Sequence, residues 1–244
     1  MGTRNRWAML VCIVGLHATA LAAPFTNGSF EGGTWDTAAA AASGTDGGYG
    51  DWLNVNAGVP ASVGLVAGWA PVAGQDFSWH VLPDTLTADG GTRVVDLNGD
   101  VPGGIEQTFD TVAGRTYRVD FAASRHFLSE DAMTFTATAL EGGGGADLNS
   151  LGVTVPDTVG TSTALSTHWQ DESFTFVASG ASTTLRFVSS SATDGLGPMI
   201  DNVRVTDVTP VVAAPAPVPA LGLWGLLGLS GLLGGLALRR SRRA

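Results

Sequence analysis

The stretch from Thr92 to Ala122, TRVVDLNGDVPGGIEQTFDTVAGRTYRVDFA, decides the fold. It contains three short runs rich in β-branched and aromatic residues, Arg93–Leu97, Ile105–Phe109 and Thr116–Phe121. Asn, Pro and Gly residues that favour turns separate these runs. Apolar and polar residues alternate in the third run, which places one face in a core and the other in water. The stretch therefore predicts a meandering antiparallel β-sheet.

Runs of the same kind recur through residues 23–207, and this part of the chain shows no convincing helical pattern. The further predicted strands are Phe77–Leu82, Met133–Leu140, Gly152–Val155, Ser173–Val177, Thr183–Val188 and Met199–Thr206. Residues 32–64 are rich in Ala and Gly and are predicted to be loose, and 141–150 are predicted to form a flexible loop. About nine or ten strands at short spacing predict an all-β domain, a β-sandwich of jelly-roll type.

The N-terminus is typical of a secretory signal peptide over residues 1–22. Arg4 and Arg6 give a positive start, an apolar run follows, and Ala20-Leu21-Ala22 provides a cleavage site between small residues. The only cysteine, Cys12, lies in this segment. The exported β-sandwich domain, residues 23–207, would therefore contain no disulfide.

The C-terminus predicts a membrane anchor. A Pro-rich linker covers residues 208–217, and a sorting signal covers 218–244. Residues 221–238 carry no charge, and as a transmembrane helix they would span roughly 27 Å, just enough for the hydrocarbon core. The four arginines that follow should stay cytoplasmic and leave the domain outside. They are Arg239, Arg240, Arg242 and Arg243.

Charge excludes some partners. All 22 acidic residues lie between Ala23 and Pro219 together with only six arginines, which leaves this segment with a net charge of −16. Such a domain does not bind nucleic acid or an anionic membrane surface by charge. Neutral polymers and divalent cations fit it better, although an acidic surface also simply keeps a protein soluble.

The tail resembles bacterial sorting signals of the PEP-CTERM and IPTL-CTERM type. The residues that carry the resemblance are Val218, Pro219, Ala220, Leu221 and Trp224, followed by the terminal arginines. Their spacing is nearer to the IPTL-CTERM form, although Val and Ala replace its Ile and Thr. The resemblance implies an exosortase-type enzyme as partner. It also implies a bacterial protein held at the outer face of the cytoplasmic membrane before processing, and then at the cell surface or in the extracellular matrix.

The body of the chain resembles the choice-of-anchor C family. The matching pieces, in order, are Asn27–Glu31, Gly68-Trp69, Val95–Gly99, Pro102–Ile105, Gln107–Phe109, Gly114–Tyr117 and Gly197–Val203. The resemblance implies a galactose-binding-like jelly roll, related in plan to carbohydrate-binding modules.

Two acids are candidates for a metal site. Asp201 shares strand parity with Val203 and Val205 and is predicted to lean towards the core, where a carboxylate needs a partner. Glu31 comes from the other end of the domain, and in such sandwiches the first and last strands are commonly neighbours. Two close carboxylates repel, and a structural Ca²⁺ bound by both would relieve that repulsion. Similar carbohydrate-binding modules hold Ca²⁺ with such residues. Alternatively, Asp201 caps backbone N–H groups or pairs with an arginine.

A second acidic motif, Asp96-x-Asn98-Gly99-Asp100, superficially resembles a calcium loop. It lacks the distal Glu of such a loop. Because Asn-Gly is a strong hairpin signal, a turn is the favoured interpretation.

Tryptophans are the candidates for ligand contact, since their flat apolar faces stack on sugar rings and the indole N–H can donate a hydrogen bond. Trp52 and Trp79 lie near loops rich in Gly and Asp and are predicted to bind ligand, although core packing is at least as common for Trp. Trp69 is predicted to begin a core strand.

The sequence predicts no catalysis. It contains no Gly-x-Ser-x-Gly and no His-Glu-x-x-His, and His80, His126 and His168 are scattered singly. The leading hypothesis is an exported, surface-sorted protein that binds or organises extracellular polysaccharide. A purely structural protein of the cell surface or biofilm matrix is the alternative, and a cryptic hydrolase is a third possibility.

Overall fold

The computed structural model describes residues 24–157, 167–191 and 195–210, and the single positions 227, 231, 232 and 239. The predicted signal peptide, most of the linker and the sorting residues lie outside the described residues, except Arg239, which is helical and exposed. The chain divides into two compact units, Met1–Thr209 and Pro210–Ala244. Within the described part, no helix has the length and apolar character required to cross a membrane.

The described part of the first unit contains twelve strands. They are β1 (Ala42–Thr45), β2 (Asp51–Asn56), β3 (Ala70–Pro71), β4 (Asp76–Val81), β5 (Arg93–Asp96), β6 (Gly104–Asp110), β7 (Thr116–Ser124), β8 (Met133–Glu141), β9 (Asp147–Val155), β10 (Gln170–Val177), β11 (Ser182–Ser189) and β12 (Met199–Asp207). A seven-stranded sheet has the order β1-β2-β4-β5-β12-β7-β10, and a five-stranded sheet has the order β3-β6-β11-β8-β9. The paired strands are antiparallel throughout both sheets.

The main core lies between the two sheets. Alternate residues of the central strands point into it, including Phe77 and Trp79 from β4 and Phe187 from β11. The predicted all-β jelly-roll sandwich is therefore confirmed. The three runs of the stretch 92–122 form β5, β6 and β7, but no two of these strands pair with each other. The predicted meander is therefore wrong here, because β5 and β7 flank β12 in one sheet while β6 joins the other.

The Ala/Gly-rich region contains more structure than predicted. It forms β1 and β2, which pair from Ala42↔Asn54 to Thr45↔Asp51, and β2 then pairs with β4. The prediction of a flexible loop over residues 141–150 is also partly wrong, because strand β9 begins at Asp147. In β2 the apolar positions are only Leu53 and Val55, too few to distinguish a strand from the surrounding small residues before its partners are known.

The closing strand contains a bulge that corrects the predicted orientation of Asp201. The register of β12 on β7 shifts between Asp201 and Arg204, and Asn202 has a φ of 53°. Ile200 and Val203 both point into the main core. They are three residues apart, whereas residues on one face of a regular strand are two apart, so the bulge accounts for the extra residue. Asp201 is buried, as predicted, but it pairs with Ala122 on the outer face of the seven-stranded sheet.

Candidate functional site

The outer face of the seven-stranded sheet carries a cluster of polar side chains. In β4, Phe77 and Trp79 point to the core, so Asp76, Ser78 and His80 point outwards. The neighbouring strands add Trp52 and Asn54 from β2 and Asp96 from β5, by the same alternation. Strand period alone thus concentrates titratable groups on one surface.

A second, smaller apolar cluster covers part of this face. Leu82 and Leu86 from the segment after β4 pack with Phe127 from the segment after β7, and Val94 and Met199 come from the sheet below. Because these segments close over the sheet, His80, Asp96 and His126 are buried although they lie outside the main core. Buried polar groups of this kind require partners.

Backbone and amide groups hold two of the acids. Asp76 Oδ2 accepts hydrogen bonds from Asn54 Nδ2 at 3.2 Å and from the Asp100 amide at 3.1 Å. Asp96 accepts the Asn98 amide on Oδ1 at 2.8 Å and the Gly197 amide on Oδ2 at 3.1 Å. The predicted turn at Asn98-Gly99 is confirmed, because the Gly99 amide donates to Val101 O and the Gly103 amide to Leu97 O. A Cβ on residue 99 would lie 2.5 Å from Asp76 Cγ, so only glycine fits there.

Two histidines meet next to these acids. His80 Nδ1 lies 3.4 Å from Asp46 Oδ2, His126 Nε2 lies 3.6 Å from Asp96 Oδ2, and the two ring centroids are 5.5 Å apart. Burial lowers the pKa of His80 to about 4. Burial is also the main cause that holds the pKa of His126 well below its usual range, and the nearby basic groups of His80 and Arg125 add to this effect. Burial raises the pKa of Asp96 well above its usual range. The imidazoles are therefore neutral near pH 7.

A surface hollow of about 290 Å³ opens onto this cluster. Its lining includes Asp46, Trp52, Ser78, His80 and Asp100. Burial raises the pKa of Asp46, and the partly exposed Trp52 side chain beside it opposes this rise. We name this the first hollow.

A second hollow of about 250 Å³ shares Trp52 as a lining residue. Trp35, Thr37, Ser43, Thr45 and Asp51 are among its other lining residues. The Trp52 ring lies over Gly44, its register partner in β1, where a Cβ would come within 3.0 Å of Trp52 Cζ2. Because residue 44 has no Cβ, the indole of Trp52 can lie against the backbone of β1.

Trp79 does not belong to this surface, and the prediction that it binds ligand is wrong. It is 0% exposed, and its Nε1 donates to Phe30 O at 3.0 Å. The alternation that exposes Trp52 on β2 turns Trp79 on β4 into the core, where it packs against Trp35 at 5.2 Å between ring centroids. Trp69 is also buried, as predicted.

Glu31 and Asp201 both bind the backbone of one segment before β5. Glu31 Oε1 accepts the amides of Thr92 and Arg93, each at 2.7 Å. Asp201 Oδ2 accepts the Gly90 amide at 2.7 Å, and its Oδ1 accepts the Asn202 amide at 2.6 Å. Burial is the main cause that raises the pKa of Asp201 to about 7. The predicted capping of backbone N–H groups by Asp201 is therefore confirmed, and the calcium site stays a prediction.

Sequence comparison identifies the family. Residues 83–206, more than half of the 244-residue chain, match the family described as Protein of unknown function (DUF642). The chain belongs to the DUF642 family. Residues 216–243 match the IPTL-CTERM motif, which confirms the predicted type of sorting tail. The choice-of-anchor C assignment stays a prediction, and no curated protein sequence matches this DUF642 chain.

Solved structures of carbohydrate-binding modules are similar to the DUF642 chain. A CBM4 structure is 15% identical, with 75% of this chain and 98% of that chain covered and a TM-score of 0.39. TmCBM61, solved with β-1,4-galactotriose, is 17% identical, with 75% and 97% covered and a TM-score of 0.40. The CBM22-1 xylan-binding domain of Paenibacillus barcinonensis Xyn10C is 16% identical, with 59% and 88% covered and a TM-score of 0.42.

The sequence reasoning missed the convergence of Asp46, His80 and His126 in this DUF642 chain. One signal was available: in 76–80, DFSWH, polar and aromatic residues alternate, so His80 shares a face with Asp76 and Ser78. Nothing comparable identified Asp46 or His126, which come from a turn and from the segment after β7.

Proposed function

We propose that this protein is an exported, surface-sorted and non-catalytic β-sandwich that binds extracellular polysaccharide. The observation that carries the proposal is the partly exposed Trp52, which lines two polar hollows at the β1–β2 end of the seven-stranded sheet. An indole presents a flat apolar face to the C–H face of a sugar ring. Binding sites for such ligands combine aromatic surface with a few polar groups that fix orientation.

The polar groups beside Trp52 suit sugar hydroxyls. The first hollow offers Asp46, Ser78 and Asp100, and the second offers Thr45 and Asp51. Carboxylates accept hydrogen bonds and hydroxyls both donate and accept them, so the two hollows match a chain of alternating donors and acceptors. Two adjacent hollows fit a polymer better than a single small molecule.

The net negative charge of the domain favours some classes of polysaccharide over others as ligands. The segment from Ala23 to Pro219 carries a net charge of −16, which repels polyanions and leaves neutral polysaccharides as the favoured partners. Export and surface delivery are supported by the IPTL-CTERM match over residues 216–243. An exosortase-type enzyme is the proposed sorting partner, and the predicted helix 221–238 is the proposed membrane anchor before processing.

The decisive experiment is a glycan array probed with the full-length protein and a Trp52→Ala variant. We expect the wild type to bind a neutral polysaccharide and Trp52→Ala to bind at least about tenfold more weakly, because a central aromatic anchor is lost. Trp169→Ala is the control, since Trp169 is also partly exposed but packs on the smaller apolar cluster outside both hollows. Equal loss in both variants would contradict the proposal. Absence of any glycan binding, together with self-association, would favour the structural alternative.

We also propose that Glu31 and Asp201 hold a structural Ca²⁺. Asp201 is a buried acid, and no ion pair among the described side chains includes Asp201 or Glu31. Each carboxylate oxygen has two lone pairs, so a second lone pair remains for a cation on Asp201 and on Glu31 Oε2, which accepts one hydrogen bond from Thr92 Oγ1 at 3.4 Å. Ca²⁺ prefers such oxygen ligands together with backbone carbonyls.

The calcium proposal predicts a concentration-dependent gain in stability. At a free Ca²⁺ concentration of 100 times Kd, the free energy of unfolding should rise by about 2.7 kcal/mol. Differential scanning calorimetry with Ca²⁺, with Mg²⁺ and with a chelator measures this gain. The gain should vanish in Asp201→Asn and persist in Asp131→Asn, which removes an exposed acid of the loop before β8. Identical melting curves with Ca²⁺ and chelator would refute calcium binding.

A further inference from the structure

We propose that Asp46, His80 and His126 form a binding site for a divalent transition-metal ion of the Zn²⁺ class. One ligand atom from each residue lies within 4.8 Å of the other two. The residues come from three separate elements: the turn between β1 and β2, strand β4, and the segment after β7. This site is distinct from the Glu31–Asp201 pair and does not depend on polysaccharide binding.

The distances suit a small ion. Four ligands at 2.0–2.2 Å around tetrahedral Zn²⁺ lie about 3.4 Å from one another. Asp46 Oδ2 and His80 Nδ1 are already 3.4 Å apart. The His126 ligand atom lies within 4.8 Å of the other two and has to approach them for a tetrahedral site to form. Two imidazoles and one carboxylate select Zn²⁺ and its late first-row neighbours over Ca²⁺ and Mg²⁺, which prefer oxygen ligands.

The polar atoms that would bind the ion make no hydrogen bond to any described residue. These buried atoms are both ring nitrogens of His80, Asp46 Oδ2 and His126 Nε2. His80 is 2% exposed and His126 is 0% exposed. A buried imidazole with two unused nitrogens is unfavourable unless something binds it, and a metal ion would satisfy three residues at once.

The surroundings hold His126 in place and set its tautomer. Arg125 Nη1 donates to the backbone carbonyls of His126 and Ser129, which closes the segment after β7. His126 Nδ1 accepts the Leu128 amide at 3.1 Å, so in the metal-free protein the proton of this neutral ring is on Nε2, facing Asp96. Metal binding at Nε2 requires the proton to leave that atom. The ring then carries its proton on Nδ1, and the Leu128 amide loses its hydrogen bond.

The first hollow supplies an open coordination position. Asp46 and His80 line it, together with Trp52 and Asp100. A water molecule from the hollow would complete a four-coordinate site, as in zinc sites with three protein ligands. Trp52 lines the same hollow as Asp46 and His80, so its fluorescence would report metal loading.

Isothermal titration of the chelator-treated full-length protein with Zn²⁺ alone tests the proposal. We expect one ion per chain, quenching or enhancement of tryptophan fluorescence, and faster hydrogen exchange at the Leu128 amide. His80→Gln and Asp46→Asn should weaken binding about 100-fold or more. His168→Gln, which alters an exposed histidine, and Asp201→Asn should bind like the wild type.

Several outcomes would overturn the proposal. These are no binding of Zn²⁺ to a folded wild type, unchanged affinity in Asp46→Asn, equal loss in His168→Gln, or displacement of Zn²⁺ by equimolar Ca²⁺. Asp46 is only partly buried and lies in a turn, so its variant keeps the test valid if His80→Gln does not fold. Visible absorption bands of tetrahedral Co²⁺, present in the wild type and absent in Asp46→Asn, would support the ligand assignment independently.

Discussion

Replacing Trp79 by alanine is expected to lower the free energy of unfolding by about 3–5 kcal/mol. Trp79 is fully buried between the sheets, and its loss leaves a cavity that surrounding side chains cannot fill. It also leaves Phe30 O without the indole N–H at 3.0 Å. In addition, the Arg93 guanidinium carbon lies 4.5 Å from the centroid of the Trp79 ring, so a cation–π contact is lost. Chemical denaturation followed by circular dichroism measures the change.

The control for this experiment is Trp52→Ala, one residue before the register partner of Trp79. Trp52 is partly exposed on the opposite face of the sheet, and its removal should cost about 1 kcal/mol or less. The pair of variants separates two roles, since Trp79→Ala should change stability and Trp52→Ala should change glycan binding. Similar stability losses in both variants would show that the assignment of the two faces is incorrect.

In the presence of chelator, the stability difference between the wild type and Asp201→Asn should change by up to about 4 kcal/mol between pH 4 and pH 8. Burial is the largest cause that raises the pKa of Asp201 from 3.8 to about 7 in the folded state. The folded state therefore holds this proton more tightly than the unfolded chain. The resulting stabilisation is complete below the unfolded pKa and is lost as the pH rises through about 7. Asparagine removes the titration.

Urea titrations at several pH values measure this difference. The comparison uses the slope of stability against pH and not the absolute stability, because the amide side chain of the Asp201→Asn variant supplies one acceptor fewer for the Gly90 and Asn202 amides. His80 and His126, whose pKa values are lowered by burial, contribute stability that is lost as the pH falls. Their contribution is common to both proteins and cancels. Parallel stability curves for the two proteins would contradict the burial argument.

The alternation of apolar and polar residues was sufficient to predict most strands of the sandwich. The runs at Thr116–Phe121 and Thr183–Val188 alternate over enough residues to specify both a strand and its buried face, and they form β7 and β11. The Asn98-Gly99 turn was predictable for the same reason, since its conformation depends on residues that are adjacent in sequence. The sequence also identified the IPTL-CTERM tail, because such a signal is read as a linear motif.

Where a segment lacked this alternation, hydrogen bonding to a neighbouring strand determined that it forms a strand. Residues 42–56 are dominated by small and polar residues, and they form a hairpin because β4 presents an edge with which β2 pairs. The outward face of Asp201 depended on the β12 bulge, which changes the parity of the strand by one residue. A bulge of this kind has no reliable signature in a single sequence.

The sequence by itself determined the sheet-forming runs, the acidic charge and the sorting tail, because each of these depends on residues that are near neighbours or on simple sums. The tertiary structure alone decided which tryptophan faces solvent and which histidines meet an acid. The metal-site candidates are far apart in the chain. The order of the strands and the path of the segment after β7 bring Asp46, His80 and His126 close together in space. Sites of this kind depend on long-range packing, and no local rule relates residues separated by 34 and 46 positions, the spacings from Asp46 to His80 and from His80 to His126.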